Sequence, residues 1–254
     1  MHKYRIVTLV FLFFAAGLYA AQNTVPPVID LARDRGYVVV IDPAHGGGDW
    51  GVNARGIMEK DITLKAARLL KKKIERAVAG VTVYLTRDAD SFLTPSDRAG
   101  FANSKKADVY ISLHCDYSAN PIVEGYKVYY SAGDGVSEKK DPAEVTDWTR
   151  VQLYHLDESA KLAAYISQYM QASLIPESGA AGNSGINSTV PGRYRKEKSS
   201  ALIPLEGVDS AAAVVEMGNL NSANDASYLK DDKALNSMAY HMGEAISYFL
   251  KDIK

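Results

Sequence analysis

The sequence has a single cysteine, Cys115, in 254 residues. That excludes an intrachain disulfide and any zinc knuckle built from several thiolates. A dominant charge is also missing. Lys+Arg total 29 against 30 Asp+Glu, a formal net charge of −1, so the chain has no basic field of the kind that holds nucleic acid, which is not an expected partner. Past the N-terminus there is no apolar run long enough to span a bilayer, no internal repeat and no long low-complexity tract. What remains is ordinary for a globular α/β chain: 47% hydrophobic and 23% charged residues, enough to bury a core without covalent staples.

The N-terminus has its own pattern. His2, Lys3 and Arg5 precede an apolar stretch from Ile6 to Ala16, followed by Gly17-Leu18-Tyr19-Ala20-Ala21. A basic head, a short apolar middle and small residues at the end predict a secretory signal peptide over residues 1–21, cut near Ala20 or Ala21, with an uncleaved anchor as the alternative. Loss of Lys3 and Arg5 with the leader leaves 27 basic against 30 acidic residues, a net charge of −3. Residues 22–35 read as a lead-in, and 36–254 as one folded domain.

Along that domain, Tyr37 to Asp42 is a run rich in β-branched residues, suited to a strand buried on both faces. A Gly-rich loop follows from Pro43 to Gly48. From Glu59 the pattern turns helical, with Ile62, Ala66, Leu69, Leu70, Ile74 and Ala77 on one face and Lys71, Lys72 and Lys73 toward solvent, until Gly80 stops it. Val81 to Leu85 alternates as a strand. Pro95 opens a helix to Asn103. Ala107 to Leu113 is a buried strand closed by His114, and Gly125 to Ser131 another strand. Residues 132–158 break the rhythm as an insertion. A helix runs from Ser159 to Leu174, and a loop rich in Gly, Ser, Asn and basic residues from Gly179 to Ser200. A strand from Ala211 to Val215 ends at Glu216, before closing helices over Asp225–Leu229 and Ala234–Leu250. Strands alternating with helices predict an α/β fold: three layers, with a twisted, mostly parallel or mixed sheet flanked by helices, of the phosphorylase/hydrolase-like kind.

Chemistry-bearing residues fall at element boundaries. His45 lies just past the first strand, Glu59 opens the first long helix, and His114 and Glu216 stand at the predicted ends of two further strands. Sites on open α/β sheets form beyond the carboxyl ends of strands. Two imidazoles and one carboxylate there match a catalytic zinc site, which uses three protein ligands and leaves one position open. A further carboxylate that is not a ligand can move protons between water and a leaving amine. Glycines after His45 would let the backbone turn sharply beside a metal. For any single histidine, a structural role is the competing explanation.

Ile41-Asp42-Pro43-Ala44-His45-Gly46-Gly47 with Glu59-Lys60 resembles the N-acetylmuramoyl-L-alanine amidases of the zinc-dependent Amidase_3 type. The resemblance continues through Leu85-Thr86-Arg87, Arg98, Ala102-Asn103, Ala107-Asp108, Ser112-Leu113-His114 and Gly125-Tyr126-Lys127-Val128-Tyr129-Tyr130. It then runs through Ser159, Leu162-Ala163 and Val214-Val215-Glu216-Met217-Gly218 to Asn221 and Asp225. Several motifs in order, from about Tyr37 to Leu250, are far more specific than one. The resemblance implies one Zn2+ held by His45, Glu59 and His114, with Glu216 as the catalytic carboxylate. It also implies cleavage of the amide between N-acetylmuramic acid and the first L-alanine of peptidoglycan, for wall remodelling or daughter-cell separation. An exported, periplasmic or extracellular monomer acting on peptidoglycan is expected, with an activator protein as a candidate partner. The sequence departs from the family with Ala44 for Gly, Asp116 for Asn and Asn219 for Phe.

Other residues carry weaker readings. Arg87 is expected in a structural salt bridge, or else at substrate, and Arg98 in a helix-to-sheet contact. Asp116 would tune a ligand's basicity from behind the metal. Cys115 reads as a small buried hydrophobe, and His155 and His241 as surface or packing residues. Some relatives cover the zinc with a helix in the 132–158 interval. Here Glu138, Glu144 or Glu158 could block the metal while Trp148, Val151 and Leu153 pack the segment down; the alternative is a loop shaping the substrate groove. Rival functions are a carboxypeptidase-like zinc hydrolase of wall peptides and a non-catalytic wall-binding protein.

Overall fold

A computed structural model describes residues 29–30, 36–131, 148–173, 188–192 and 200–253. The expected signal peptide, nearly all of the lead-in, and residues 132–147 of the expected insertion lie outside the described residues. No helix among the described residues is long and apolar enough to cross a membrane.

A six-stranded mixed sheet organises the chain. Its strands are β2 (Tyr37–Pro43), β6 (Val81–Leu85), β7 (Val109–Asp116), β8 (Lys127–Ser131), β9 (Ser188–Gly192) and β10 (Ala211–Asn219). Their order across the sheet is β6-β2-β7-β10-β8-β9. The first four are mutually parallel, and β8 joins β10 antiparallel. Two small pairs lie outside this sheet: β1 (Ile29–Asp30) with β5 (Val78–Ala79), and β3 (Asn53–Ala54) with β4 (Ile57–Met58).

Helices α1 (Glu59–Ala77), α3 (Leu156–Ser173) and α5 (Asp232–Asp252) cover one face of the sheet. There Leu70 and Ile74 of α1, Leu162 and Ile166 of α3, and Met242 and Phe249 of α5 bury against Val39, Ile41, Ile111 and Val215. The other face has a thinner cover: α2 (Pro95–Ser104) and a 3-10 turn over Ser200–Leu205, packed on Val40, Tyr110, Ala212 and Val214. β2, β7 and β10 are buried on both sides, which is why they read as unbroken apolar runs. The expected three-layer α/β fold is what the chain adopts, with unequal outer layers.

Helix starts follow the local chemistry. Thr94 and Asp97 form a reciprocal capping box at α2 with Pro95 in the first turn, and Asp231 caps α5. α4 (Ala223–Lys230) starts from the Ser222 hydroxyl. α1 has no side-chain cap; its first amides donate instead to loop carbonyls, Glu59 N–H to Val52 (2.8 Å) and Lys60 N–H to Trp50 (3.4 Å). That fixes Glu59 at a helix N-terminus, where a carboxylate is favoured by the dipole.

Several expected boundaries move. α1 ends at Ala77, because Val78 and Ala79 leave to pair with β1 before Gly80. The strand expected to end at Leu113 continues to Asp116, and the one expected to end at Val215 continues to Asn219, so His114 and Glu216 lie inside strands. The ladder carries on past them, pairing Glu216 with His114 and, after a register shift, Asn219 with Asp116. The described end of the expected insertion is not a surface loop. Trp148–His155 forms a 3-10 helix whose Val151 and Gln152 are buried, with Gln152 donating to the Val208 and Ser210 carbonyls (2.5 and 2.9 Å). α3 begins at Leu156, so Leu156–Glu158 belong to it. Within the expected Gly179–Ser200 loop, Ser188–Gly192 is the edge strand β9.

Candidate active site

At the carboxyl end of β2 the chain makes a tight reversal. Gly46 and Asp49 exchange backbone hydrogen bonds (2.8 and 3.1 Å), and His45 takes a left-handed φ of 61°. A non-glycine residue there costs energy that its surroundings must supply. Two buried arginines do so. Arg98 pairs with Asp42 (2.6 Å) and donates to the carbonyls of Pro43 (2.9 Å) and His45 (2.8 Å). Arg87 donates to the carbonyls of Pro43, Ala44 and Lys60 (2.9 Å each) and Ala89 (3.0 Å). Thr86 and Ser112 donate to the same buried Asp42 (2.5 and 2.7 Å). Although burial opposes its charge, the Arg98 guanidinium and these donors hold Asp42 below the usual carboxylate range. The expected helix-to-sheet contact of Arg98 is thus present. The salt bridge expected of Arg87 is replaced by a set of bonds to carbonyls, beneath the loop rather than in the cleft.

Three elements bring His45, Glu59 and His114 together, each offering one ligand atom, with those atoms all within 4.8 Å of one another. Glu59 reaches over the strand ends from α1. Its Oε2 lies 3.1 Å from His45 Nε2 and its Oε1 3.2 Å from His114 Nδ1. Backbone amides fix the same carboxylate: Val52 N–H donates to Oε2 (2.8 Å) and Cys115 N–H to Oε1 (2.9 Å). Burial raises the Glu59 pKa, but the two imidazoles outweigh it and hold the group well below the usual range. On the far side of the first imidazole, Asp49 Oδ2 bonds His45 Nδ1 at 2.8 Å. Burial opposes charge on His45, yet Glu59 and Asp49 together raise its pKa to about 9.

Glu216 faces the same cleft, and its surroundings are the reverse. It pairs in register with His114 on one side and Lys127 on the other, so the three residues form a row across neighbouring strands. Its Oε2 is buried with no hydrogen-bond partner. Burial, with the Glu59 and Asp116 charges, lifts its pKa to about 7 against the pull of His114 and Lys127. The cleft has a volume of about 780 Å³, and Tyr117, Tyr129 and Pro204 line it beside these groups.

The donor set fits a small divalent cation. Two nitrogens and a carboxylate oxygen converge, the acceptor faced by the nitrogens is fixed by main-chain amides, and His45 has its outer nitrogen engaged. His114 Nε2 is a buried polar atom with no hydrogen-bond partner. Gly51 is part of the fit, because a Cβ there would come within 2.5 Å of Glu59 Oε2 and His45 Cδ2.

Asp116 lies on the cleft wall, where it accepts from Lys127 and from Tyr117 N–H (2.7 Å). Cys115 is buried, as expected of a small apolar residue, and desolvation pushes its thiol pKa well up. His155 meets Asp209 (2.9 Å) at the surface, and His241 packs edge-on to Tyr240. Glu158 is exposed in the first turn of α3, while Glu138 and Glu144 lie outside the described residues. Residue patterns missed Asp49, Gly51 and the two amides on Glu59. An acid four residues after a loop histidine, followed by Gly51, was the available signal.

Residues 39–248 match the sequence profile of the family described as N-acetylmuramoyl-L-alanine amidase. Among curated relatives, the amidase AmiC of Neisseria meningitidis is 36% identical over 110 residues, 43% of this chain and 26% of that protein. The endolysin of Bacillus phage SPP1 is 33% identical over 54% of this chain and 51% of its own. Bacillus subtilis LytC is 27% identical over 84% of this chain and 36% of its own. The chain spans about a quarter to a half of the length of these relatives. Among solved structures, the amidase AmiC2 of Nostoc punctiforme superposes with a TM-score of 0.61 at 25% identity, covering 85% of this chain and 97% of that one.

Proposed function

Because the chain belongs to the N-acetylmuramoyl-L-alanine amidase family, we propose that it hydrolyses the amide joining the lactyl group of N-acetylmuramic acid to the first L-alanine of peptidoglycan. The observation that carries this reading is the meeting of His45, Glu59 and His114 in one cleft with Glu216, in a member of that family.

In this reading His45, Glu59 and His114 would hold one zinc ion. Bound there, zinc would supply Lewis acidity toward the amide carbonyl and bring the pKa of a water toward neutrality. Asp49 keeps the His45 proton on Nδ1, so that Nε2 presents its lone pair inward. The two amides on Glu59 stop that carboxylate from swinging away. Glu216 accepts a proton from the attacking water and returns it to the alanine nitrogen as the C–N bond breaks, a task suited to a group poised near pH 7. The tight β2 loop and Gly51 keep bulk away from the carbonyl. We extend the proposal to export through residues 1–21, and to wall remodelling or cell separation as the setting. One domain over 36–254 acts as a monomer, with an activator as a candidate partner. Asp116, paired to Lys127 beside Glu216, shapes the proton-transfer side of the cleft.

The test is digestion of purified sacculi by the zinc-loaded protein, with products weighed by mass spectrometry. Intact stem peptides with a free alanine amino terminus should appear, stop on addition of a chelator and return with zinc. Free amino acids trimmed from the peptides, or no release at all, would overturn the reading.

A further inference from the structure

Three of the most exposed aromatic side chains share one edge of the molecule. Trp50 is 51% exposed, Phe92 58% and Tyr117 55%. Each lies on the segment that follows the carboxyl end of a parallel strand: Phe92 after β6, Trp50 after β2 and Tyr117 after β7. Those strands are consecutive in the sheet, so the three aromatics stand on neighbouring loops at one edge of it. Two of these loops are tied to each other. Lys60 Nζ bridges the Gly47 carbonyl and the Asp90 carboxylate (3.0 and 2.7 Å), and Gly47 N–H donates to Asp90 (2.7 Å). A Cβ on Gly47 would lie 3.0 Å from the Phe92 nitrogen, so Phe92 sits directly against the His45 loop. Trp50 is set by its carbonyl, which caps α1, and Tyr117 lines the cleft that holds Glu216.

Exposed aromatics on neighbouring loops beside the cleft make a surface for a ligand with flat apolar faces and polar edges. Sugar rings have that form, with C–H faces and hydroxyl edges. Resting on the amidase reading above, we propose that Phe92, Trp50 and Tyr117 are stacking subsites for the sugars of a glycan strand that continues from the cleft, which Tyr117 lines. The argument for a glycan rather than a second copy of the chain is continuity: the scissile bond of the proposed substrate hangs from a sugar, and the strand must continue on at least one side of it.

Trp50 and Trp148 are the two tryptophans, so a Trp148→Phe background makes Trp50 the reporter. Titration with chitohexaose, a β-1,4-linked N-acetylglucosamine chain with no muramoyl–peptide bond, should change Trp50 emission saturably. Phe92→Ala with Tyr117→Ala should weaken that affinity at least tenfold. Phe92→Ala alone should slow digestion of whole sacculi and leave the rate on a single muramoyl peptide unchanged. No saturable emission change, or one the double variant leaves intact, overturns the proposal. So does concentration-dependent dimerisation in sedimentation that Phe92→Ala abolishes, which would make these aromatics a contact between copies. Because chitohexaose carries no scissile bond, glycan binding without any hydrolysis of sacculi would refute the amidase reading and leave the subsites standing.

Discussion

Two carboxylates face one cleft, and the protein treats them in opposite ways. Glu59 enters from α1, accepts two main-chain amides and meets two imidazoles, and its pKa is driven down. Glu216 sits in β10 beside His114 with a buried oxygen that nothing bonds, and its pKa rises to about 7. The difference lies in what each group meets. Glu59 receives N–H donors from the loop at Val52 and from Cys115 near the end of β7, and with the two imidazoles these hold it in its charged form. Glu216 is buried with no donor on its Oε2, so desolvation makes it keep its proton longer. A fixed, charged group suits a ligand and a loose one near neutrality suits a proton carrier.

The largest expected effect breaks the pair on the Glu216 side. Glu216→Gln keeps the shape and the metal but removes the proton carrier, so kcat on a muramoyl peptide should fall by about 10²–10⁴-fold with zinc content unchanged by metal analysis. A fall of less than tenfold would make Glu216 a bystander. Breaking the Glu59 side should show in the other observable. Glu59→Gln should lower zinc affinity by more than ~100-fold, and Asp49→Asn, which loosens His45 from behind, by about 10–100-fold, read by competition with a chromophoric chelator. If Glu216→Gln cost more zinc affinity than Asp49→Asn, the division between holding and proton transfer would be wrong.

Much of this was legible in residue patterns, and what was missed has a common cause. β2 announced itself because a strand buried on both faces has no polar side to confuse it. The ends of β7 and β10 were misplaced because His114 and Glu216 look like terminators, while strand pairing depends on backbone groups that their side chains do not advertise. The candidate ligands could be named from type, order and family resemblance. The groups that position them could not: main-chain N–H of Val52 and Cys115 leaves no trace in composition, and Gly51 matters through the Cβ it lacks. Arg87 was misjudged for a related reason, since five carbonyl and hydroxyl oxygens around one guanidinium come from backbone crossings that only the fold creates.

The smallest expected effect is on stability, and it gives the comparison its clearest sign. Glu216 has a folded pKa raised from 4.5 to about 7, so between those values the folded state binds more protons than the unfolded one. Its stability contribution is therefore present below about pH 4.5 and lost as pH rises through 7. Glu59 is lowered, so its contribution is present above its ordinary 4.5 and lost as pH falls. His45, raised to about 9, adds stability that is present below 6.5 and lost as pH rises through 9. In chelator-treated protein, Glu216→Gln should gain stability relative to the parent on going from pH 5 to pH 8, by about 1–3 kcal/mol in denaturant midpoints. Glu59→Gln should instead lose stability at pH 7, with a penalty that shrinks as the pH is lowered below 5. If both variants moved in the same direction at pH 8, the two surroundings would not differ in the way their hydrogen bonds indicate, and the opposing roles assigned to the two carboxylates would lose their physical basis.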